Sequence, residues 1–269
     1  MRRLPPPTPS TLLSLSLSLG VALTGSGCEQ VDDIKNTLDG LTNPMVVEGL
    51  LLGVEPPDVG SGVDLSESDF AQGTTVKAYL ADAGDPTQLA DAPVVGAKVD
   101  FVSDGNGGQI LLQDQDDGSY VANEEEDGLS YVAEQVAITA ELDGELRKIS
   151  VNAPPIANVD IASSHAAGNP MAIDISDQSF DGLLVVVLSA SGEVAYSNLP
   201  DSIEALYEFT HGDSVLSVEI PGGAFNETGI YAVGVAGTRN AGVDDMEEIN
   251  TALSTFIAGK FKFYGVNVE

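Results

Sequence analysis

The stretch from Gln135 to Asn152 constrains the fold more than any other part of the chain. Asp143-Gly144 is a dipeptide that accepts positive φ, and the two-residue turn it makes matches the twist of the strands on either side. That turn fixes the pairing: Ile138 lies opposite Ile149, Val136 opposite Val151, and Thr139 opposite Lys148. The four apolar residues then share one face, and slipping the register by one residue would set them against polar partners. A lone hairpin is marginal in water, so the rest of the chain must supply strands to cover this face.

It does so in short runs between Gly, Pro, Asp and Asn clusters. Met45 to Val54 is one apolar run. Val76, Ala78 and Leu80 alternate with Lys77 and Tyr79, and Ala97, Val99 and Phe101 alternate with Lys98 and Asp100. A period of two marks strands with one buried face. At Asn152-Ala153-Pro154-Pro155 the pattern stops, because proline offers no amide hydrogen to a ladder and holds its predecessor extended. Strands resume beyond it. Leu184 to Asn198 holds a second hairpin, whose loop Ala190-Ser191-Gly192 with a left-handed Gly192 sets Leu188 against Val194 and Val186 against Tyr196. Ser214 to Ile220, Ile230 to Val235 and Phe256 to Val268 complete the series.

Each half has the length and strand spacing of an immunoglobulin-like sandwich. The expected fold is all-β, with two tandem immunoglobulin-like β-sandwiches at 45–153 and 156–269. The boundary crosses neither hairpin, so each half is expected to fold alone. In the second half Glu227, Gly229, Tyr231 and Val233 are spaced like the Asp-x-Gly-x-Tyr-x-Cys pattern that enters an immunoglobulin F strand. The resemblance implies a corner hydrogen bond from Tyr231. Asp116, Gly118 and Tyr120 repeat the spacing, but two further strands follow Tyr120, which places it earlier in its sandwich. Over residues 74–153 the strings TVKAYLADA, PVVGAKVDF, DGSYVA and VAITAELDG resemble bacterial Ig-like domains of surface proteins. A transthyretin-like sandwich, as in carboxypeptidase regulatory domains, shares several of these strings, and neither resemblance specifies a ligand.

Ahead of the strands stands a leader. Arg2 and Arg3 form a positive start, Thr11 to Leu23 an apolar core, and Gly25-Ser26-Gly27 a run of small residues before Cys28, the only cysteine. The core falls short of the ~20 apolar residues that span a bilayer, which makes it a secretory signal. It resembles a bacterial lipoprotein signal, with Gly25 where such signals usually carry leucine. The resemblance implies removal of residues 1–27, lipidation of Cys28, and, with Glu29 next in line, the outer membrane. Ordinary cleavage leaving a free thiol is the alternative. Residues 28–44 then form a tether, either a short helix with Val31, Ile34, Leu38 and Leu41 on one side or a solvated linker.

Charge excludes some partners. The chain carries 42 acidic and 10 basic side chains, a formal net charge of −32. Losing residues 1–27 removes Arg2 and Arg3 and no acid, which leaves −34. Nucleic-acid binding rests on neutralising phosphates with Lys and Arg, and docking on anionic lipid needs the same residues. Both are set aside.

No catalytic grouping stands out. His165 and His211 are the only histidines, with no HxH or HExxH between them, which argues against zinc. Ser163-Ser164-His165 lacks the G-x-S-x-G elbow. Gly105 to Gly108 is glycine-rich without the lysine of a phosphate loop. No cofactor is expected. Calcium has some support, since it takes six to eight oxygens, several from carboxylates. Asp114, Asp116 and Asp117 are the candidate ligands; a solvated acidic surface is the other reading, and position five of that loop is Gly118. The sequence therefore points to an exported, lipid-anchored, non-enzymatic binding or structural module of the bacterial cell envelope, in adhesion or scaffolding, with a protein or glycan partner. A calcium-stabilised adhesin and a hydrolase with a site between the sandwiches are the alternatives.

Overall fold

A computed structural model describes residues 43–269, apart from 56, 58–61, 63, 64, 67, 85, 176–178 and 213. Cys28, the leader and all of the tether up to residue 42 lie outside the described residues. Sixteen strands follow in chain order. In the first half they are β1 (Met45–Val54), β2 (Thr75–Asp82), β3 (Lys98–Ser103), β4 (Gly108–Leu111), β5 (Gln113–Asp114), β6 (Ser119–Asn123), β7 (Gln135–Leu142) and β8 (Glu145–Asn152). In the second they are β9 (Ser164–His165), β10 (Met171–Asp174), β11 (Gly182–Leu188), β12 (Val194–Ser197), β13 (Ser217–Ile220), β14 (Gly229–Asn240), β15 (Met246–Glu247) and β16 (Thr255–Val268). Two helices join them, α1 (Glu124–Asp127) and α2 (Ile203–His211).

The β7–β8 hairpin forms in the register that its turn dictates. Asp143 and Gly144 have φ of 55° and 81°, and Ile138 pairs with Ile149, Val136 with Val151 and Thr139 with Lys148. In the second hairpin Gly192 is left-handed at φ 81° and Leu188 pairs with Val194. Beyond that pair the expected register fails. A bulge sets Val187, not Val186, against Tyr196. Seven successive residues of β11 are buried, so apolarity does not choose between its faces. Tyr196 follows Val187 onto the second core, while Val186 packs on the opposite side.

The fold is all-β and its strand order is immunoglobulin-like in both halves. In the first, β1-β2-β6-β5 faces β8-β7-β3-β4, the A-B-E-D and G-F-C order of such a sandwich. In the second, β10-β13 faces β12-β11-β14-β16. Tyr120 lies on β6, ahead of two more strands, as its position implies. Tyr231 makes the expected corner: its hydroxyl donates to the Glu227 carbonyl at 3.1 Å and accepts from the Glu227 amide at 3.4 Å.

The two sandwiches are stitched together in two places. β1 pairs in parallel with β16, from Glu48–Thr255 to Val54–Phe261, which makes one nine-stranded sheet out of a layer from each half. Strand β15 crosses back to pair with β8, Met246 against Ile149. The cores divide less evenly than the chain does. The second core draws only on residues beyond Pro155, whereas the first takes Ile249, Phe256 and Ala258 from the second half.

The outer face of the shared sheet is covered as well. Ser202 caps α2, its hydroxyl accepting from the Ala205 amide at 3.1 Å, and Ile203 and Tyr207 pack against Val46, Ala81 and Leu253. Phe70 lies edge-on to Phe261 and Phe263, with centroids 5.2 Å from each. That double covering explains why Met45 to Val54 is apolar at both parities, as in strands buried on both faces.

Candidate functional site

The acidic loop singled out in the sequence folds on itself. One carboxylate oxygen of Asp114 accepts from the Gly96 amide at 2.7 Å, and the other from the Asp116 amide at 2.8 Å. Asp117 accepts from the amide of Ser119 at 2.9 Å and from its hydroxyl. That hydroxyl, and then that amide, hold the Asp117 carboxyl below its ordinary value. Asp116 stands on the turn at φ 64°. The side chains of Asp114 and Asp117 pin the turn between β5 and β6, and no group of three or more His, Cys, Asp or Glu able to hold a metal ion occurs among the described residues.

Carboxylates at 124, 127 and 247 also make structural contacts. Asn123 caps α1 by accepting from the Glu126 amide at 2.8 Å, while Asp127 accepts from the Asn123 amide at 3.0 Å and Glu124 from the Thr74 amide at 2.9 Å. Glu247 pairs with Lys148 at 3.0 Å across the β15–β8 stitch.

The histidines stand apart. His165 Nε2 lies 2.9 Å from the Asn169 carbonyl, and its ring meets Phe225 edge-on. His211 stacks on Tyr207 with centroids 4.0 Å apart, at the end of α2. Their described contacts are backbone carbonyls, aromatic rings and, for His211, the Thr210 hydroxyl. The Ser-His or Asp-His contact that a hydrolase needs is not made by either ring among the described residues.

A groove of about 790 Å³ opens on the outer face of the shared sheet. Leu50, Leu52 and Val54 form its floor on β1, Phe70 and Leu199 flank it, and Lys77, Glu125 and Asp201 stand on its rim. An apolar floor with a few polar groups is the common form of a small-molecule cleft, and neither histidine lines it. Its signal in the sequence was the two-sided apolarity of β1, which shows that both faces are covered but not where the cover is incomplete. Among the described residues no helix is long and apolar enough to cross a membrane.

No family model matches the chain, and no curated protein matches it. Among solved structures it is similar to the chicken CNTN1 FN1-FN3 domains, at 11% identity over 72% of this chain and 62% of that one, with a TM-score of 0.24. It thus spans less than two thirds of that structure. It is also similar to the fibronectin(III)-like modules of Clostridium thermocellum CbhA, at 14% identity over 83% of this chain and 94% of that one, with a TM-score of 0.21. At such scores the strand order itself carries the assignment of the fold.

Proposed function

We propose that the chain is an exported, non-enzymatic binding or structural module of the bacterial cell envelope, lipid-anchored at Cys28 to the outer membrane. The observation that supports this most is the parallel pairing of β1 with β16. β1 starts just after the tether and runs away from it. β16 runs in the same direction and continues past Phe261, where the β1 pairing ends, to Val268. The second sandwich is thereby carried away from the anchored end by a sheet. Residues 28–44 extend at most ~3.5 Å each, roughly 60 Å in all. A body held on so short a lead, with the second sandwich on its far side, suits adhesion or scaffolding.

The anchor is tested with Cys28→Ser and a fatty-acid analogue fed to the expressing cells. The wild type should take up label and sediment with membranes, because two or more acyl chains hold stably where one is marginal. The variant should do neither. Label on the variant, or none on the wild type, would sink the anchor.

A further inference from the structure

Basic residues are scarce after Cys28, eight against 42 acids. Three of the eight stand on one face of the shared sheet at the seam between the sandwiches. On the inner face of the shared sheet, β16 sends Phe256 and Ala258 into the first core and Val266 and Val268 into the second. Lys260 and Lys262 occupy the same face between them, half-buried. On the neighbouring β14, Val235 pairs with Lys262 and Arg239 with Ala258, so Arg239 shares that face on the diagonal to Lys260. Diagonal neighbours and alternate residues of one strand stand about 7 Å apart at Cβ.

None of the three makes an ion pair among the described residues. The ion pairs within 4.0 Å among the described residues involve Lys98, Arg147 and Lys148, none of these three. Asp181, which leads into β11 beside them, accepts from the Asn240 amide at 2.9 Å. The partners present are rings: Lys260 Nζ lies 5.8 Å from the centroid of Tyr131, and Lys262 Nζ 5.5 Å from that of Tyr264. Rings position a cation without neutralising it. Tyr131 is itself fixed, its hydroxyl donating to the Pro154 carbonyl at 2.7 Å and its ring lying where a side chain on Gly53 would stand.

Among the described residues, these three neighbouring cations thus stand without a carboxylate within 4.0 Å. The negative charge elsewhere does not forbid an anion at the seam, because at 0.15 M salt its field fades over ~8 Å. Arginine presents a planar fork of N–H donors that matches an oxyanion, and lysine adds compact point charges. We propose that Arg239, Lys260 and Lys262 form an anion-binding site at the seam between the sandwiches, for a ligand carrying a phosphate or sulfate group.

Calorimetric titration of inorganic phosphate, and separately of sulfate, into the mature chain tests this, with chloride holding the ionic strength constant. Saturable binding is expected, weakened at least tenfold in the Lys260→Gln/Lys262→Gln variant and unchanged in Lys98→Gln, whose lysine is paired with Asp100 elsewhere. Both anions stabilise folded proteins in general by exclusion from their surfaces, so the difference between wild type and variant is the deciding quantity. Circular dichroism establishes that the double variant folds; if it does not, Arg239→Gln is titrated in its place against the same tenfold criterion. Absence of saturable binding in the wild type, or equal affinity in the variants, would overturn the proposal.

Discussion

Cutting the chain between the halves should have unequal consequences. The piece 156–269 keeps every residue of the second core. The piece 45–153 gives up Phe256 and Ala258, each fully buried, and Ile249, which is 2% exposed. Removing a buried phenylalanine costs about 3–5 kcal/mol and a buried isoleucine about 2–5. Together that is roughly 5–10 kcal/mol, against the ~5–15 that holds a whole domain. The same cut turns β1 into an edge, removes the β15 strand from β8, and strips the Ser254 hydroxyl from the Val47 amide it accepts from at 3.1 Å. Thermal melts followed by circular dichroism should therefore show a cooperative transition for 156–269 and none for 45–153. Mixing the two pieces should restore the missing transition, since β16 and β15 then return to their places. A cooperative melt of 45–153 alone would refute the reasoning and make the shared sheet a contact between independent domains.

Three further outcomes follow from single contacts. Tyr131→Phe leaves the packing against Gly53 but removes the donor to Pro154, and should lower stability by about 0.5–1.5 kcal/mol with an unchanged m-value in urea. Glu134 is held below its ordinary value of 4.5, first by the Ser103 hydroxyl and then by the Gly105 amide. Its stabilisation is thus full above pH 4.5 and fades as pH falls through the lowered value, so Glu134→Gln should flatten the acid limb of a stability–pH curve and leave its slope near neutrality unchanged. Sodium chloride should raise the melting temperature by screening, and millimolar calcium at matched ionic strength should add no more than magnesium; a calcium-specific gain lost on neutralising Asp114, Asp116 and Asp117 would favour the calcium reading over the solvated surface.

What the sequence disclosed and what it hid divide by range of contact. The β7–β8 hairpin was legible because Asp143-Gly144 and the flanking alternation are local and agree with each other. The Tyr231 corner was legible because it closes on Glu227, four residues away. The β11–β12 register was half legible: the turn fixed Leu188 against Val194, but a strand buried on both faces offers no pattern to reveal a bulge at Val187. The stitches lay beyond any local signal, because Glu48 meets Thr255 and Ile149 meets Met246 only once both sandwiches exist. Helix α2 covers an outer face that a two-sandwich reading treats as solvent. The acidic residues left two readings open for a physical reason: a carboxylate that pins a turn and one that waits for a cation have the same composition, and their hydrogen-bond partners become visible only in the fold.

The stitches also fix how the two sandwiches sit against each other. Tandem sandwiches joined by a linker reorient freely unless their interface is large and apolar. Here the joint is a backbone ladder seven residue pairs long, from Glu48–Thr255 to Val54–Phe261. The linker at Pro154 is clamped by Tyr131 on its first-half side. Bending at the boundary would have to break that ladder or shear the sheet. A strand at the edge of one sandwich has become an interior strand of a larger sheet, which removes an exposed edge of the kind that invites unwanted pairing. The same geometry puts Lys260 and Lys262 on a rigid floor, where an anion would meet cations at fixed spacing and not on two independently moving bodies.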